Sequence, residues 1–200
     1  MAMMRNAEII IGEGITEKYY FTSLRDVLVV KPAVKPLKPY NMDELAKAID
    51  KYAKEGYTKI YCLIDMDNKV ATPAMMKKYQ QLKQRYNNKR VRKTDCEVCF
   101  YESYPSIELF FYYYFEGSTA EKTNEGLKSW LKHRCGYDTT NEKHLKSRSL
   151  HGTLVSNGGC LEDAVSHAKN SVRLRDGESY NCSYTEIGNL IESLGIKTGK

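Results

Sequence analysis

The stretch that decides the fold runs from Lys59 to Asp67 and reads KIYCLIDMD. A continuous apolar run of this kind is typical of a strand that is buried on both faces of a parallel sheet. A second apolar run, Ala7–Gly12, leads directly into Glu13–Glu17, which reads EGITE. Because ligands bind at the carboxyl ends of parallel strands, both runs deliver acids to the edge where a site is expected.

Outward from this stretch, strand and helix signals alternate through the first half of the chain. Strands are predicted at 7–12, 27–34, 59–65 and 96–102, and helices at 16–28, 41–56 and 72–88. This alternation predicts an α/β fold, with a parallel sheet of about four strands flanked by helices. Helices are also predicted at 106–115, 121–135, 161–174 and 184–194, whereas 137–159 fits no element.

The chain has 200 residues, which suits a single domain. We expect an α/β core over 1–104 and a mainly helical extension over 105–200. The six cysteines form no secreted-type framework, so we expect reduced thiols and a cytoplasmic location. No apolar run approaches the roughly 18 residues of a membrane span. The net charge of +6 is compatible with nucleic-acid binding but does not require it.

A zinc site is the alternative use of the cysteines. Cys96 and Cys99 have CxxC spacing, and His133 and Cys135 would complete a ligand set. On a strand, however, residues three apart face opposite sides, which disfavours zinc. The four histidines show no metal spacing of their own, and His151 as a general base is a minor alternative.

The acids at the predicted sheet edge favour a hard divalent cation. Glu13, Glu17, Asp65 and Asp67 cannot all stay ionised at one edge without a cation, and Mg²⁺ takes oxygen ligands. Asp65 and Asp67 would point the same way if the strand continued, or meet through a turn if it ended at Asp65. Thr16 is a candidate helix cap. The alternative is that these acids are solvated loop residues without a functional role.

The residues also resemble a known family. EGITEKYYF at 13–21 and the two aspartates look like the Toprim signature, an α/β catalytic domain of topoisomerases, primases and overcoming-lysogenization-defect nucleases. YPSIELF at 104–110 and the segment 184–194 complete a pattern similar to the RloB-like branch of phage-defence (abortive infection) proteins. The similarity spans nearly the whole chain.

The resemblance implies a nuclease that uses Mg²⁺ or Mn²⁺ to hydrolyse phosphodiesters of DNA or RNA. The implied catalytic residues are Glu13, Asp65 and Asp67, and the implied metal ligands are Glu13, Glu17, Asp65, Asp67 and Glu108. Glu108 has the alternative role of a capping or surface acid. The resemblance also implies an ATPase partner protein, and no catalytic lysine is identified.

A basic segment directly follows the two aspartates. It contains no acid up to residue 94, and Tyr79 and Tyr86 lie among its basic residues. Such a stripe is expected to bind DNA, RNA or tRNA beside the site, with the tyrosines stacking on bases. A solvated helix face is the bland alternative. The predicted nucleic-acid-binding residues are Lys77, Lys78, Lys83, Arg85, Lys89, Arg90, Arg92 and Lys93.

Three other functions compete with the nuclease. A non-catalytic module would bind nucleic acid or a nucleotide with the same fold. A haloacid-dehalogenase-type phosphatase would use Asp65 as a nucleophile, but its motif sits on the first strand and continues differently. A structural subunit would only assemble a larger complex. The aromatic run Phe110–Phe115 and Trp130 are expected in the core.

Overall fold

The computed structural model describes residues 7–38, 40–138, 142–147, 149–176 and 182–197, and only the backbone of 143, 144 and 147. The strands are β1 (Glu8–Gly12), β2 (Ala33–Pro36), β3 (Lys59–Asp65), β4 (Lys89–Arg90), β5 (Glu97–Tyr104) and β6 (Tyr184–Thr185). The helices are α1 (Ile15–Ser23), α2 (Met42–Lys54), α3 (Asp67–Ala71), α4 (Pro73–Tyr86), α5 (Glu108–Tyr112), α6 (Asn124–Cys135), α7 (Glu142–Ser147), α8 (Leu150–Ser156), α9 (Leu161–Arg175) and α10 (Ile187–Leu194).

The sheet is mostly parallel, as the alternating pattern predicted. Strands β2, β1, β3 and β5 lie in that order and run parallel. The two-residue strands β4 and β6 pair antiparallel with opposite ends of β5. Strands this short show no period in the sequence, which is why only the four parallel strands were predicted. The α/β fold class is confirmed.

Helices cover both faces of the sheet. Helices α2 and α4 pack on the face that carries Ile9 and Ile60. Helices α1, α5, α6, α8, α9 and α10 pack on the face that carries Ile10 and Tyr61. Right-handed crossovers explain this division, since the chain moves one way from β1 to β2 and the other way from β2 through β3 to β5.

The order of the strands opens a crevice at the carboxyl edge of the sheet. The chain leaves β1 toward β2 on one side and returns on the other side of β1 to form β3. The connections that follow β1 and β3 therefore turn to opposite faces of the sheet, and the gap between them is a topological switch point. Glu13 follows β1 directly and Asp65 ends β3, so both lie at this gap.

The second strand differs from its prediction. Residues 27–30 were expected to enter the sheet, but β2 begins only at Ala33. The apolar segment instead bonds to the end of the chain, where Val29 N donates to the Gly195 carbonyl over 2.9 Å and Lys197 N donates to the Val27 carbonyl over 2.8 Å. A local apolar pattern identifies a segment that will be buried, but not the segment it pairs with.

The aromatic run is core, as predicted. Phe110, Phe111 and Tyr113 are fully buried between the sheet and the C-terminal helices. Trp130 is half-buried and packs on Tyr112, with ring centroids 4.8 Å apart. Within 137–159, which fitted no predicted element, the described residues include α7 and α8.

The CxxC pair does not form a zinc site. Cys96 packs in the core beneath α2 and α4, whereas Cys99 packs on the opposite face. His133 is exposed on α6, and the side chain of His144 lies outside the described residues. Both cysteines are free thiols whose pKa is raised by burial. Among the described helices, none combines the length and apolar character needed to span a bilayer.

A buried charged network ties the C-terminal helices to β5. Glu102 accepts hydrogen bonds from Tyr79, Lys83 and Tyr184, the last over 3.0 Å. Arg175 NH1 lies 3.7 Å from its second oxygen. Burial alone would raise the pKa of Glu102. The pKa nevertheless lies below its ordinary value, because Lys83 donates a hydrogen bond to the carboxylate and carries a positive charge.

Candidate functional site

All five acids predicted for the site line a single crevice. It lies at the switch point, opens to the surface and has a volume of about 260 Å³. Polar residues that the sequence did not single out complete its walls. The lining consists of Glu13, Gly14, Thr16, Glu17, Asp65, Asp67, Asn68, Ser106, Ile107, Glu108, Asn124 and Lys128.

Glu13 is held by a buried lysine. Oε1 of Glu13 accepts hydrogen bonds from Nζ of Lys69, at 2.6 Å, and from the backbone N of Asp65, at 3.1 Å. Lys69 is only 3% exposed and also donates to the Asp65 carbonyl. Burial raises the pKa of Glu13, and the charge of Lys69 opposes that rise. Lys69 is therefore the positively charged partner of Glu13, and the sequence analysis did not identify it.

Asp65 ends β3 and faces the crevice. Its Oδ1 accepts a hydrogen bond from the backbone N of Ile107, at 3.0 Å, which uses one of its two oxygens. Burial raises the pKa of Asp65 well above its ordinary value, and the negative charges of Glu17, Glu13 and Glu108 raise it further. The unfavourable charge of this carboxylate would be relieved by a cation.

Glu17 lies against the end of β1, in the first turn of α1. Its Oε2 accepts a hydrogen bond from Gly14 N, at 3.1 Å, and Gly14 rather than Thr16 is the cap residue. A Cβ atom at Gly12 would lie 2.8 Å from the Glu17 Cβ, so Gly12 leaves the space that Glu17 fills. Burial raises the pKa of Glu17 to about 7, with smaller contributions from Glu108 and Glu13.

Asp67 does not continue the strand. It is the first residue of α3, so the second of the two predicted geometries, a turn after Asp65, is the one observed. Its Oδ1 accepts a hydrogen bond from Asn68 N at 2.6 Å, and its Oδ2 accepts one from the side-chain amide of Asn124. The amide therefore fixes Asp67 at the rim of the crevice.

Glu108 is a buried acid of the crevice and not a surface residue. It is 5% exposed and begins α5. Ser106 Oγ donates to its Oε2 over 2.8 Å, and the Tyr137 hydroxyl donates to its Oε1 over 2.9 Å. Lys128 Nζ lies 3.9 Å from the same Oε1. Neutral donors thus hold this carboxylate in place, with a lysine at the rim above it.

The donor chemistry of the crevice suits a hard cation, but the carboxylates that share the crevice are not spaced as ligands of one ion. Carboxylate oxygens are the ligands that Mg²⁺ takes in proteins. Among the described residues, however, no group of three or more His, Cys, Asp or Glu side chains is spaced to hold one metal ion. Lys69 supplies a positive charge at Glu13 instead. The residues fit a metal in type, and binding it would require the carboxylates to close around it.

Part of the predicted basic segment lies far from the crevice. Lys89 pairs with Val98 near the start of β5, whereas Asp65 pairs with Ser103 near its end. These positions are five residues apart on one strand, which is about 16 Å. The remaining basic residues follow in the turn between β4 and β5. This part does not flank the crevice as predicted, and it comprises Lys89, Arg90, Arg92 and Lys93.

Four basic side chains of the segment form ion pairs with acids. Asp43, Asp50 and Asp95 each lie within 3.8 Å of a basic side chain, and Glu102 accepts from Lys83 inside the protein. The basic residues so paired are Lys78, Lys83, Arg85 and Arg90. Tyr79 and Tyr86 are 2% and 4% exposed, so the expectation that they stack on bases is wrong. Within the described residues, the other four basic residues, Lys77, Lys89, Arg92 and Lys93, make no ion pair.

The predicted acids are held by residues that the sequence analysis did not predict. Lys69 follows Asp65 by four residues, a spacing that returns its side chain to the strand end once α3 forms. Ser106 and Asn124 donate to predicted acids, but neither stands in a spacing that marks it as a site residue. His151 lies outside the crevice, where its Nδ1 is 2.9 Å from the Tyr114 hydroxyl.

The fold and the crevice place the chain among α/β proteins with an acid-lined site at the switch point of a parallel sheet. More particularly, the chain belongs to the RloB-like protein family, whose model matches residues 9–194. The resemblance to the RloB-like family is thereby confirmed. Neither the curated proteins nor the solved structures yielded a match.

Proposed function

We propose that this protein is a metal-dependent nuclease that hydrolyses phosphodiester bonds of DNA or RNA. The observation that carries the proposal is the gathering of Glu13, Glu17, Asp65 and Glu108 around one switch-point crevice. Mutual repulsion raises the pKa of Asp65 and Glu17 beyond the effect of burial, so the crevice favours a divalent cation. Membership of the RloB-like family supports a role in phage defence, which we propose with it.

The five acids of the crevice would hold Mg²⁺ or Mn²⁺. When bound, the metal would supply a Lewis acid for the phosphate and an activated water as nucleophile. The ligands proposed are the carboxylates of Glu13, Glu17, Asp65, Asp67 and Glu108.

The protein's own residues orient this set. Lys69 fixes the position of Glu13, and the backbone N of Ile107 fixes Asp65. Lys128 lies at the rim with half of its side chain exposed, where its charge would favour a phosphate. Positioned donors and charges of this kind lower the barrier because they need no rearrangement during the reaction.

The test is cleavage of single-stranded DNA, supercoiled DNA and bulk tRNA by purified protein with Mg²⁺, Mn²⁺ or EDTA. We expect metal-dependent cleavage that Asp65→Asn lowers at least about 100-fold, the scale on which loss of a positioned polar group acts. Asp26→Asn makes the same change at an exposed acid and should be silent. Cleavage that survives in Asp65→Asn, or in EDTA, would contradict the proposal.

A non-catalytic nucleic-acid- or nucleotide-binding module is the second candidate. Two observations favour it: the crevice acids are not already spaced as metal ligands among the described residues, and Lys69 already neutralises Glu13. This module would bind nucleic acid without cleaving it, and Asp65→Asn would leave binding unchanged or strengthen it by removing a negative charge. The same experiment therefore separates the two functions.

A further inference from the structure

A nuclease with an acidic crevice needs a basic surface beside it to hold a polyanion. The segment from α4 to β4 does not provide one, because its end lies about 16 Å from the crevice and Lys83 is bound to Glu102. The question is which described element next to the crevice carries exposed positive charge.

Helix α6 forms one wall of the crevice. Its first residue, Asn124, donates to Asp67, and Lys128 lies one turn further along, 3.9 Å from Glu108. Tyr137, just beyond the helix, donates to the same Glu108. Residues four apart lie on one face of a helix, so Asn124, Lys128 and Lys132 form a row that leads out of the crevice.

This row is exposed and basic, on a helix that is firmly fixed. The Lys128 side chain is 47% exposed and its distance to Glu108 exceeds that of a hydrogen bond. Lys132 is exposed and makes no ion pair with any described residue. Leu127 and Leu131, on the adjacent face of the helix, are buried in the core. The two lysines are therefore carried by a helix packed against the core, with their Cα atoms about 6 Å apart along its axis.

We propose that the phosphodiester backbone of DNA or RNA lies along α6, contacted by Lys128 and Lys132, with one phosphate delivered to the crevice. This inference rests on the proposed function and identifies the surface that it uses. It assigns substrate binding to two lysines outside the basic segment. Charge complementarity with a polyanion, together with continuity with the crevice, supports this assignment.

The test measures binding, not cleavage. Fluorescence anisotropy in EDTA would follow labelled single-stranded DNA and RNA oligonucleotides bound to wild type, to Lys128→Gln/Lys132→Gln and to Lys89→Gln/Lys93→Gln. The two double variants remove the same charge, and all four lysines are exposed. Thermal melts would confirm that each variant is folded. Salt titrations from 50 to 300 mM would give the slope of log K against log salt.

Loss of two phosphate contacts should reduce the salt slope by about 1.4 and weaken binding about 25-fold at 0.1 M salt, from about 0.7 per contact on single strands. We expect this for Lys128→Gln/Lys132→Gln and less than a threefold change for Lys89→Gln/Lys93→Gln. The DNA and RNA arms identify the kind of strand that is held.

The opposite order of effects, or wild-type affinity in both variants, would overturn the inference. In either case metal-dependent cleavage by the wild type would leave the proposed function intact. A wild-type protein that neither binds nor cleaves any of these nucleic acids would instead remove the proposed function, and the inference with it.

Discussion

Replacing Lys69 by methionine tests whether this buried lysine is the counter-ion of Glu13. The substitution keeps most of the side-chain volume and removes only the charge and its hydrogen bonds. The Lys69 side chain is 4% exposed and its Nζ lies 2.6 Å from Glu13 Oε1, while the Glu13 side chain is 22% exposed. Breaking a fully buried pair costs about 3–5 kcal/mol. Because water reaches Glu13, we expect a loss of about 2–3 kcal/mol at pH 8.

The loss should depend on pH, with a sign that follows from Glu13. Burial already raises the pKa of Glu13, and removal of Lys69 removes the charge that opposes that rise. A carboxyl whose pKa is higher in the folded than in the unfolded state loses stability as the pH rises. The variant should therefore be closest to wild type at pH 5, where protonation spares the unpaired charge, and furthest from it at pH 8.

The assay is urea unfolding at pH 5 and pH 8, with thermal melts as a second measure. A loss of 2–3 kcal/mol corresponds to a fall in Tm of about 5–10 °C for a chain of this size. Lys47→Met is the matched control, because Lys47 lies 2.7 Å from Glu44 but is 73% exposed, and such a surface pair contributes little to stability. Equal unfolding midpoints for Lys69→Met and wild type at pH 8 would refute the assignment.

Three further predictions concern other buried groups. Titration of Glu17 should cost metal-free wild type up to about 3 kcal/mol of stability as the pH rises from 4.5 to about 7, because its pKa is raised on folding. Glu17→Gln should remove that part of the urea-unfolding profile and leave the part that comes from the raised pKa values of Asp65 and Glu13. Gly12→Ala should cost about 1–3 kcal/mol of stability and reduce cleavage, because the new Cβ atom would displace Glu17. Gly14→Ala is the control and should unfold at nearly the wild-type midpoint, because a Cβ atom there would meet only a carboxylate oxygen at 3.5 Å. Glu102→Gln should lower the free energy of unfolding by about 1–3 kcal/mol at pH 7 and by less at pH 4, because the lowered pKa of Glu102 contributes stability that is lost on acidification. Glu97→Gln, at a half-exposed side chain, should change the free energy of unfolding little.

The sequence predicted those strands and helix ends that depend only on neighbouring residues. The continuous apolar runs of β1 and β3 favour buried strands, which the structure has. Asn41 accepts a hydrogen bond from Glu44 N at the start of α2, as its side chain predicts. Glu13, Glu17, Asp65 and Asp67 could be assigned to one edge because parallel strands end there together, whereas Glu108 was implied by the family resemblance.

Long-range pairing decided what the sequence did not predict. Residues 27–30 have strand character but bond to 194–197, which no local pattern reveals. The basic segment follows Asp67 in sequence, yet α4 carries the chain back along the sheet and leaves Lys89 at its opposite end. Lys69 carries no signal of burial in its own sequence, and only the formation of α3 returns it to Glu13.

The distribution of charge links the crevice to its proposed substrate. The chain as a whole carries a net charge of +6 and attracts a polyanion at long range. The crevice is the exception, because in the described part of the chain its five carboxylates form ion pairs only with Lys69 and Lys128. A phosphate drawn toward the protein is therefore repelled at the point where it would react, unless a divalent cation is bound there. Cation and phosphate each relieve the repulsion felt by the other, so their binding must be mutually favourable. Metal-assisted chemistry at the crevice would account for the cost of placing these acids together, which is why we propose it ahead of nucleic-acid binding alone.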